Sequence, residues 1–469
     1  MGSTSLNDDV EYLFLDQELP FQPQWKLPQN LRNDLLDDSL TWIVYINPPF
    51  GTAQVGGAKG ENKKGISDTK ISYQMNKIGI GHVRRELFAQ FIFRIYKELP
   101  DKTILGMFSK LKYLNAPDSI DYRDKYFPYK YEKGFVFKST NFQGVKGQYP
   151  ISFLIWNLAE VREKNQNNIE IDISDDAAVN VGIKNLALIK KGEVLNNWFS
   201  RPTNSNEYIL PPLSNGITVK EGNLDKRHRA RKDFLASICS NGNDFQHAKY
   251  VVILSSPNVS AGAFTVTPNI FEKSMVLHAV KKIPAPNWLN DRNQFLTPKG
   301  VLASAFVDDC VIWSLFANSN ETTSLKDVVY EGNTYQIKNN FFPFLIDMLK
   351  QWEIRDPDII LGLAHDEDRF VAKWLKNKAL SLEASAVLTK GNELYQYFYS
   401  NLQNLSTSPY RIQTWDVGWY QIRRCLTEQS RGLELISDLK ILHNKLGEKI
   451  LPDIEHCGFL DIDEVFEGS

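Results

Sequence analysis

Over the first 160 residues, short apolar runs closed by turn residues alternate with one long amphipathic stretch. Trp42-Ile43-Val44-Tyr45-Ile46 is β-branched and aromatic and too short for a helix, and Asn47 and two prolines follow it. Prolines cannot donate to a strand ladder, so a strand ending in a stiff loop is predicted. Residues 9–16, ending at Asp16, read as an earlier strand, and a helical pattern through residues 31–36 links the two. Strand, crossover and strand is the order of a parallel sheet. Residues 82–99 predict an amphipathic helix: Val83, Leu87, Phe91, Ile95 and Leu99 recur every four positions, and Pro100 stops it. Strands are predicted over 103–108, 134–137 and 151–156, the last two joined as a hairpin by 138–150.

Beyond about residue 160 the pattern loosens. Residues 162–176 are polar and end acidic, as in an exposed hairpin or linker. Short apolar pieces follow at 194–199 and 208–213, with further strands at 249–254 and 263–266. Helical patterns occupy 344–352, 368–382, 394–402 and a stretch from Trp415 through Cys425. The pattern divides the chain into 1–160, a mixed α/β region over 161–345 and a helical region over 346–469.

Composition narrows this modestly. The chain has 469 residues, 42% hydrophobic and 12% aromatic, enough for more than one packed domain. No apolar run nears the ~20 residues that span a bilayer, and the polar opening Met1-Gly2-Ser3-Thr4-Ser5 is not a signal peptide, so a cytoplasmic protein is expected. Cys239, Cys310, Cys425 and Cys457 are scattered without a C-x-x-C pair, and the seven histidines show no ligand spacing, so neither a metal nor a disulfide framework is predicted. The formal charge of −2 neither supports nor excludes nucleic acid; local basic clusters decide that.

Two such clusters stand out. The glycine- and lysine-rich stretch 51–81 holds Lys59, Lys63, Lys64 and Lys70, read as a lid over DNA or as a solvated loop. Residues 225–232 form the densest basic run, with Lys226, Arg227, Arg229 and Arg231 as candidate phosphate contacts or, alternatively, a solvated face. No Gly-Lys dipeptide makes a phosphate loop in the first stretch, and Gly79-Ile80-Gly81 lacks the third glycine of a dinucleotide fingerprint.

Asn47 and Pro48 suggest a specific chemistry. A residue before proline is kept out of the α region, which presents the Asn47 side chain and the Pro48 carbonyl in an extended arrangement. Two convergent acceptors hold the two hydrogens of an exocyclic amine, and Phe50 offers a face on which a ring can stack.

Asn47-Pro48-Pro49-Phe50 resembles motif IV, [D/N/S]-P-P-[Y/F], of the amino-group methyltransferases, above all the N6-adenine DNA methyltransferases of restriction-modification systems. The order downstream, helix then strand then aromatic hairpin, is also similar to that family. The resemblance implies an α/β fold: the second half of a Rossmann-like methyltransferase sheet in 1–160, a target-recognition region in 161–345 and a helical C-terminal part. It implies S-adenosylmethionine as cofactor, double-stranded DNA as partner, and Asn47, Pro48, Pro49 and Phe50 around a flipped adenine. It gives Phe142, with Tyr149 in reserve, as the second stacking aromatic, and Asp16 as a contact to the cofactor.

One part of the family pattern is missing. The family's aromatic-x-Gly-x-Gly turn, which binds the methyl donor, occurs neither before Asn47 nor after Val251-Val252-Ile253-Leu254. The expectation is a catalytic domain completed by an upstream segment or a second chain. A non-catalytic DNA-binding or specificity fragment, and a methyltransferase of protein glutamine or RNA, stay open on the same residues. Pro357-Asp358 with Glu367 and Arg369 resembles a nuclease pattern, but its lysine is absent.

Overall fold

The computed structural model describes residues 28–48, 70–142, 145, 147–203, 208–214, 217–219, 229–258, 262–405, 410, 414–460 and 464–466. The chain is a mixed α/β protein that divides into two compact units. The first comprises Met1–Val194, Pro286–Gln294 and Asp461–Ser469, and the second Leu195–Ala285 and Phe295–Leu460.

The first unit is built on a six-strand mixed sheet: β1 Trp42–Ile46, β2 Thr103–Ser109, β3 Tyr129–Lys138, β4 Pro150–Val161, β5 Asn168–Ser174 and β6 Asn180–Ala187. Their spatial order is β1-β2-β4-β3-β5-β6, and the short strand Glu464–Phe466 adds to β6. β1 and β2 are parallel, β4 lies antiparallel between β2 and β3, and β3 pairs parallel with β5. Among the described residues, three α-helices precede β2: α1 Gln29–Leu35, α2 Lys70–Lys77 and α3 Leu87–Glu98.

Period-two alternation explains the packing. Val44, Ile46, Leu105, Met107, Val136, Leu154 and Trp156 face α3 and form one core with its Phe88, Ile92 and Phe93. The alternate positions Tyr45, Phe108, Phe135, Phe137 and Phe153 put aromatic rings on the opposite face, each within 6.2 Å of another. Gly106 is where that face needs a small residue: a Cβ there would stand 2.7 Å from the Phe153 ring.

The predicted helix over 82–99 forms only from Leu87. Glu86 takes extended backbone (φ −84°, ψ 122°) and its carboxylate pairs with Lys112 Nζ at 2.8 Å, leaving His82–Arg85 as a separate 3-10 turn. Phe91, placed on the apolar stripe by spacing, is 38% exposed, and Phe88 and Ile92 carry the contact instead. Leu99, forced extended by Pro100, ends the helix as expected.

The second unit has a four-strand sheet in the order Ala263–Val266, Ala236–Cys239, Val252–Leu254, Asn320–Glu321. Helices Phe271–Lys282, Ser304–Phe316, Leu382–Ser400 and Leu433–His456 supply most of its core. Here the spacing predictions are displaced. Residues 344–352 give only the turn of helix Ile346–Leu349, 368–382 give Phe370–Leu375, and 394–402 is the end of the helix that starts at Leu382 with Ser381 as its cap. No helix is long and apolar enough to cross a membrane among the described residues.

Candidate functional site

The site is built at one end of the first unit's sheet. β1 and β2 run parallel in register, Ile46 opposite Met107, so Asn47 and Pro48 leave the sheet beside Phe108 and Ser109. β4 begins at the same end, pairing Phe153 with Phe108 and Ser152 with Ser109, and β3 finishes there with Lys138 opposite Pro150. The β3–β4 hairpin tip therefore stands at the strand end that carries Asn47. Ligands of open α/β sheets bind outside the carboxyl ends of parallel strands.

Asn47 is exposed while Pro48 is buried, which anchors the backbone and leaves the amide of Asn47 accessible. Pro49 and Phe50 lie outside the described residues, as do Asp16, Lys59, Lys63, Lys64, Lys226 and Arg227.

Phe142 is half-buried at the hairpin tip. Its ring centroid lies 6.0 Å from Phe108, edge to face, and 5.7 Å from Phe137. Ser139 fixes the tip: its hydroxyl donates to the Gly147 carbonyl and accepts from the Tyr149 N–H at 3.1 Å. The reserve candidate, Tyr149, lies at the same place. Lys110, the first residue after β2, holds its Nζ 4.9 Å from the centroid of the Tyr149 ring. Burial, then the nearby Arg292 and Lys112 cations, lowers the Lys110 ammonium from its usual range against the pull of Glu86 and Asp291.

Sequence reading missed Lys110 and the aromatic face beneath Phe142. The signal was present: Phe135 and Phe137 share one side of β3, and Phe153 and Phe108 are aromatic at the positions that pair across the sheet.

The remaining candidates have other settings. Arg229 is exposed on a two-residue strand paired with Tyr208–Ile209. Arg231 forms a two-point pair with Asp233 at 2.8 and 3.2 Å, which engages the fork it would turn to a phosphate. Arg369 is buried between Asp366 and Asp416, and Asp358 is an exposed first-turn residue of helix Pro357–His365.

The described residues do not fit a methyl-donor cradle. None of the described strands runs into a Gly-x-Gly turn, and Gly79-Ile80-Gly81 follows α2 rather than a strand. β1 is the edge of its sheet, with Ile43 83% and Tyr45 67% exposed. Among the described residues no group of three or more His, Cys, Asp or Glu is arranged to hold a metal. No protein-family model matches the chain, and no curated protein matches its sequence.

Proposed function

We propose that the first unit is the base-binding half of an N6-adenine DNA methyltransferase of the restriction-modification type. The observation that carries this reading is the convergence, at one sheet end, of the Asn47-Pro48 strand terminus and the hairpin aromatic Phe142. Each was assigned from a separate stretch of sequence, about a hundred residues apart.

In this reading the chain holds a flipped adenine. Asn47 Oδ1 and the Pro48 carbonyl accept the two amino hydrogens, which raises electron density on that nitrogen and fixes its direction. Phe50 stacks on one side of the ring and Phe142 on the other. The chain supplies positioning and polarisation of that nitrogen. The second unit reads the target, with base edges giving sequence and phosphates giving register.

The test is in cells. The gene is expressed with its neighbouring reading frames in a host lacking DNA adenine methylation, and N6-methyladenine is mapped along the genome. Methylation at one defined sequence, lost with Asn47→Ala, supports the proposal. Its absence in every combination of neighbouring frames rejects it.

A further inference from the structure

In the second unit, two cations converge on one neutral oxygen. Lys281, near the end of helix Phe271–Lys282, is 2% exposed and donates from Nζ to Asn196 Oδ1 at 2.6 Å, Ser240 Oγ at 2.8 Å and the Gly242 carbonyl at 2.9 Å. Arg201 donates from Nη2 to the same Asn196 Oδ1 and lays its guanidinium over the Phe264 ring, 5.0 Å from the centroid.

Neither cation forms an ion pair among the described residues. Asp244 bonds His247 and caps helix Phe245–Ala248, and its field favours the Lys281 charge without an ion pair between them. The Nε of Arg201 is buried without a hydrogen-bond partner. Burial alone pushes the Arg201 guanidinium down to about 10, and burial, then Arg201, drives Lys281 well below its usual range. Buried Lys281 and half-buried Arg201 share one amide oxygen, and neither is ion-paired with a carboxylate among the described residues, an arrangement that a bound anion relieves.

The geometry points to an anion site at Arg201 and Lys281 that takes a phosphate group. The roles divide by donor count. The three hydrogens of Lys281 are already given to Asn196, Ser240 and Gly242, so it contributes charge. Arg201 has made one of its five possible hydrogen bonds among the described residues, and its planar fork matches two phosphate oxygens. Phe264 holds the guanidinium plane in place. The phosphate belongs either to a nucleic-acid backbone or to a free phosphate compound. This site does not depend on the role given to Asn47.

The experiment uses the full chain, Arg201→Gln and Arg201→Lys, with two probes. In the first arm, thermal unfolding is followed with added inorganic phosphate or pyrophosphate against chloride at equal ionic strength. In the second, binding of a fluorescent DNA duplex is measured across a salt series. A phosphate-dependent rise in Tm that Arg201→Gln removes and Arg201→Lys weakens supports the site, and identifies free phosphate if the DNA series is unchanged. A drop of about one in the slope of log K against log salt in Arg201→Gln supports the backbone source. Arg201→Gln unfolds without phosphate at the wild-type temperature or above, because the lost cation was uncompensated. The proposal is overturned if wild type ignores phosphate and the salt slope is unaltered, or if Arg201→Gln alone lowers Tm.

Discussion

The ring of Phe142 stands 6.0 Å from that of Phe108 at 85°, so the tip of the β3–β4 hairpin is tied to the strand that neighbours Asn47. Phe108 in turn packs 4.8 Å from Phe153 and 5.8 Å from Tyr45, two positions before Asn47. The hairpin aromatic and the Asn-Pro-Pro strand thus share one rigid layer of rings. A rigid layer is what holds a stacking side chain at a fixed height over a base.

Phe142→Ala removes that stacking surface. Loss of one base–aromatic stack costs about 1–3 kcal/mol, so DNA with the target adenine unpaired should bind roughly 5- to 150-fold more weakly. Phe142→Trp should retain most of the affinity. Anisotropy titrations of both variants give the answer, and equal binding by Phe142→Ala and wild type would remove Phe142 from the site.

Asn47 is exposed, so replacing it should change activity and not stability. If the proposed function holds, Asn47→Ala loses an acceptor for the amine and should lower methyl transfer by about 10²–10³-fold. Asn47→Asp keeps an acceptor oxygen and should retain much more. Turnover and unfolding temperature measured on the same preparations separate the two effects.

The strands of the first unit were legible because each combines β-branched or aromatic residues with a closing turn, as Trp42–Ile46 does before its prolines. The helices of the second unit were not. Ser304–Phe316 is buried on nearly every side, Asp308 and Asp309 included, so no apolar stripe marks it. Leu433–His456, the longest helix among the described residues, falls in the region 346–469 expected to be helical but without bounds of its own, although Leu439, Leu446, Ile450 and Ile454 turn inward at helical spacing. At the site, the strand-end acceptors were readable from Pro48 and Pro49, but the pairing of Phe108 with Phe153 depends on register, which local sequence does not state. Arg201 and Lys281 lie eighty positions apart, and only the fold brings them together.

Gly106 tests the aromatic layer. A Cβ at this position would come within 2.7 Å of the Phe153 ring, which Phe108 and Tyr45 hold from other sides. Gly106→Ala should therefore cost about 1–3 kcal/mol by overpacking. It should also displace Phe142 through Phe108, so DNA affinity falls with stability. A variant as stable as wild type would show that the layer is loosely packed.

In the second unit, Asp416 is wholly buried and accepts from Arg369 Nε at 2.6 Å, from the Asn339 N–H at 2.9 Å and from Ser324 Oγ. Arg369 also reaches Asp366 at 2.7 and 2.8 Å. Asp416→Ala leaves Arg369 Nε, the Asn339 N–H and Ser324 Oγ without this acceptor while Arg369 keeps Asp366, and should destabilise the protein by about 3–5 kcal/mol. Arg369→Met, which removes the cation but strands Asp416, should be comparably damaging. Denaturant unfolding of both variants measures this.

Two histidines, buried His278 and half-buried His443, shape the acid stability of the second unit. His278 sits between Ser314 and Ser319, each at 2.9 Å, and burial, aided by Lys282 and His443, pushes it down to about 3. His443 bonds the Trp313 carbonyl at 2.8 Å, and burial outweighs that bond, pushing it down to about 4. An unfolded histidine titrates near ~6.5. Below that pH the unfolded chain takes up protons that the folded chain refuses, so stability falls as pH drops from about 6.5 towards the folded values. The slope approaches ~1.4 kcal/mol per pH unit for each histidine. Asp366 contributes in a lower window: burial opposes its ionisation, but hydrogen bonds from Arg369 and the Glu367 backbone hold it well below the usual carboxylate range. Its stabilisation is present above that range and is lost as pH falls through it and below. Between pH 6.5 and 4.5 the histidines therefore dominate. His443→Gln keeps a donor for the Trp313 carbonyl and should flatten the pH dependence of Tm in that interval by about half; curves that stay parallel to wild type would refute the assignment.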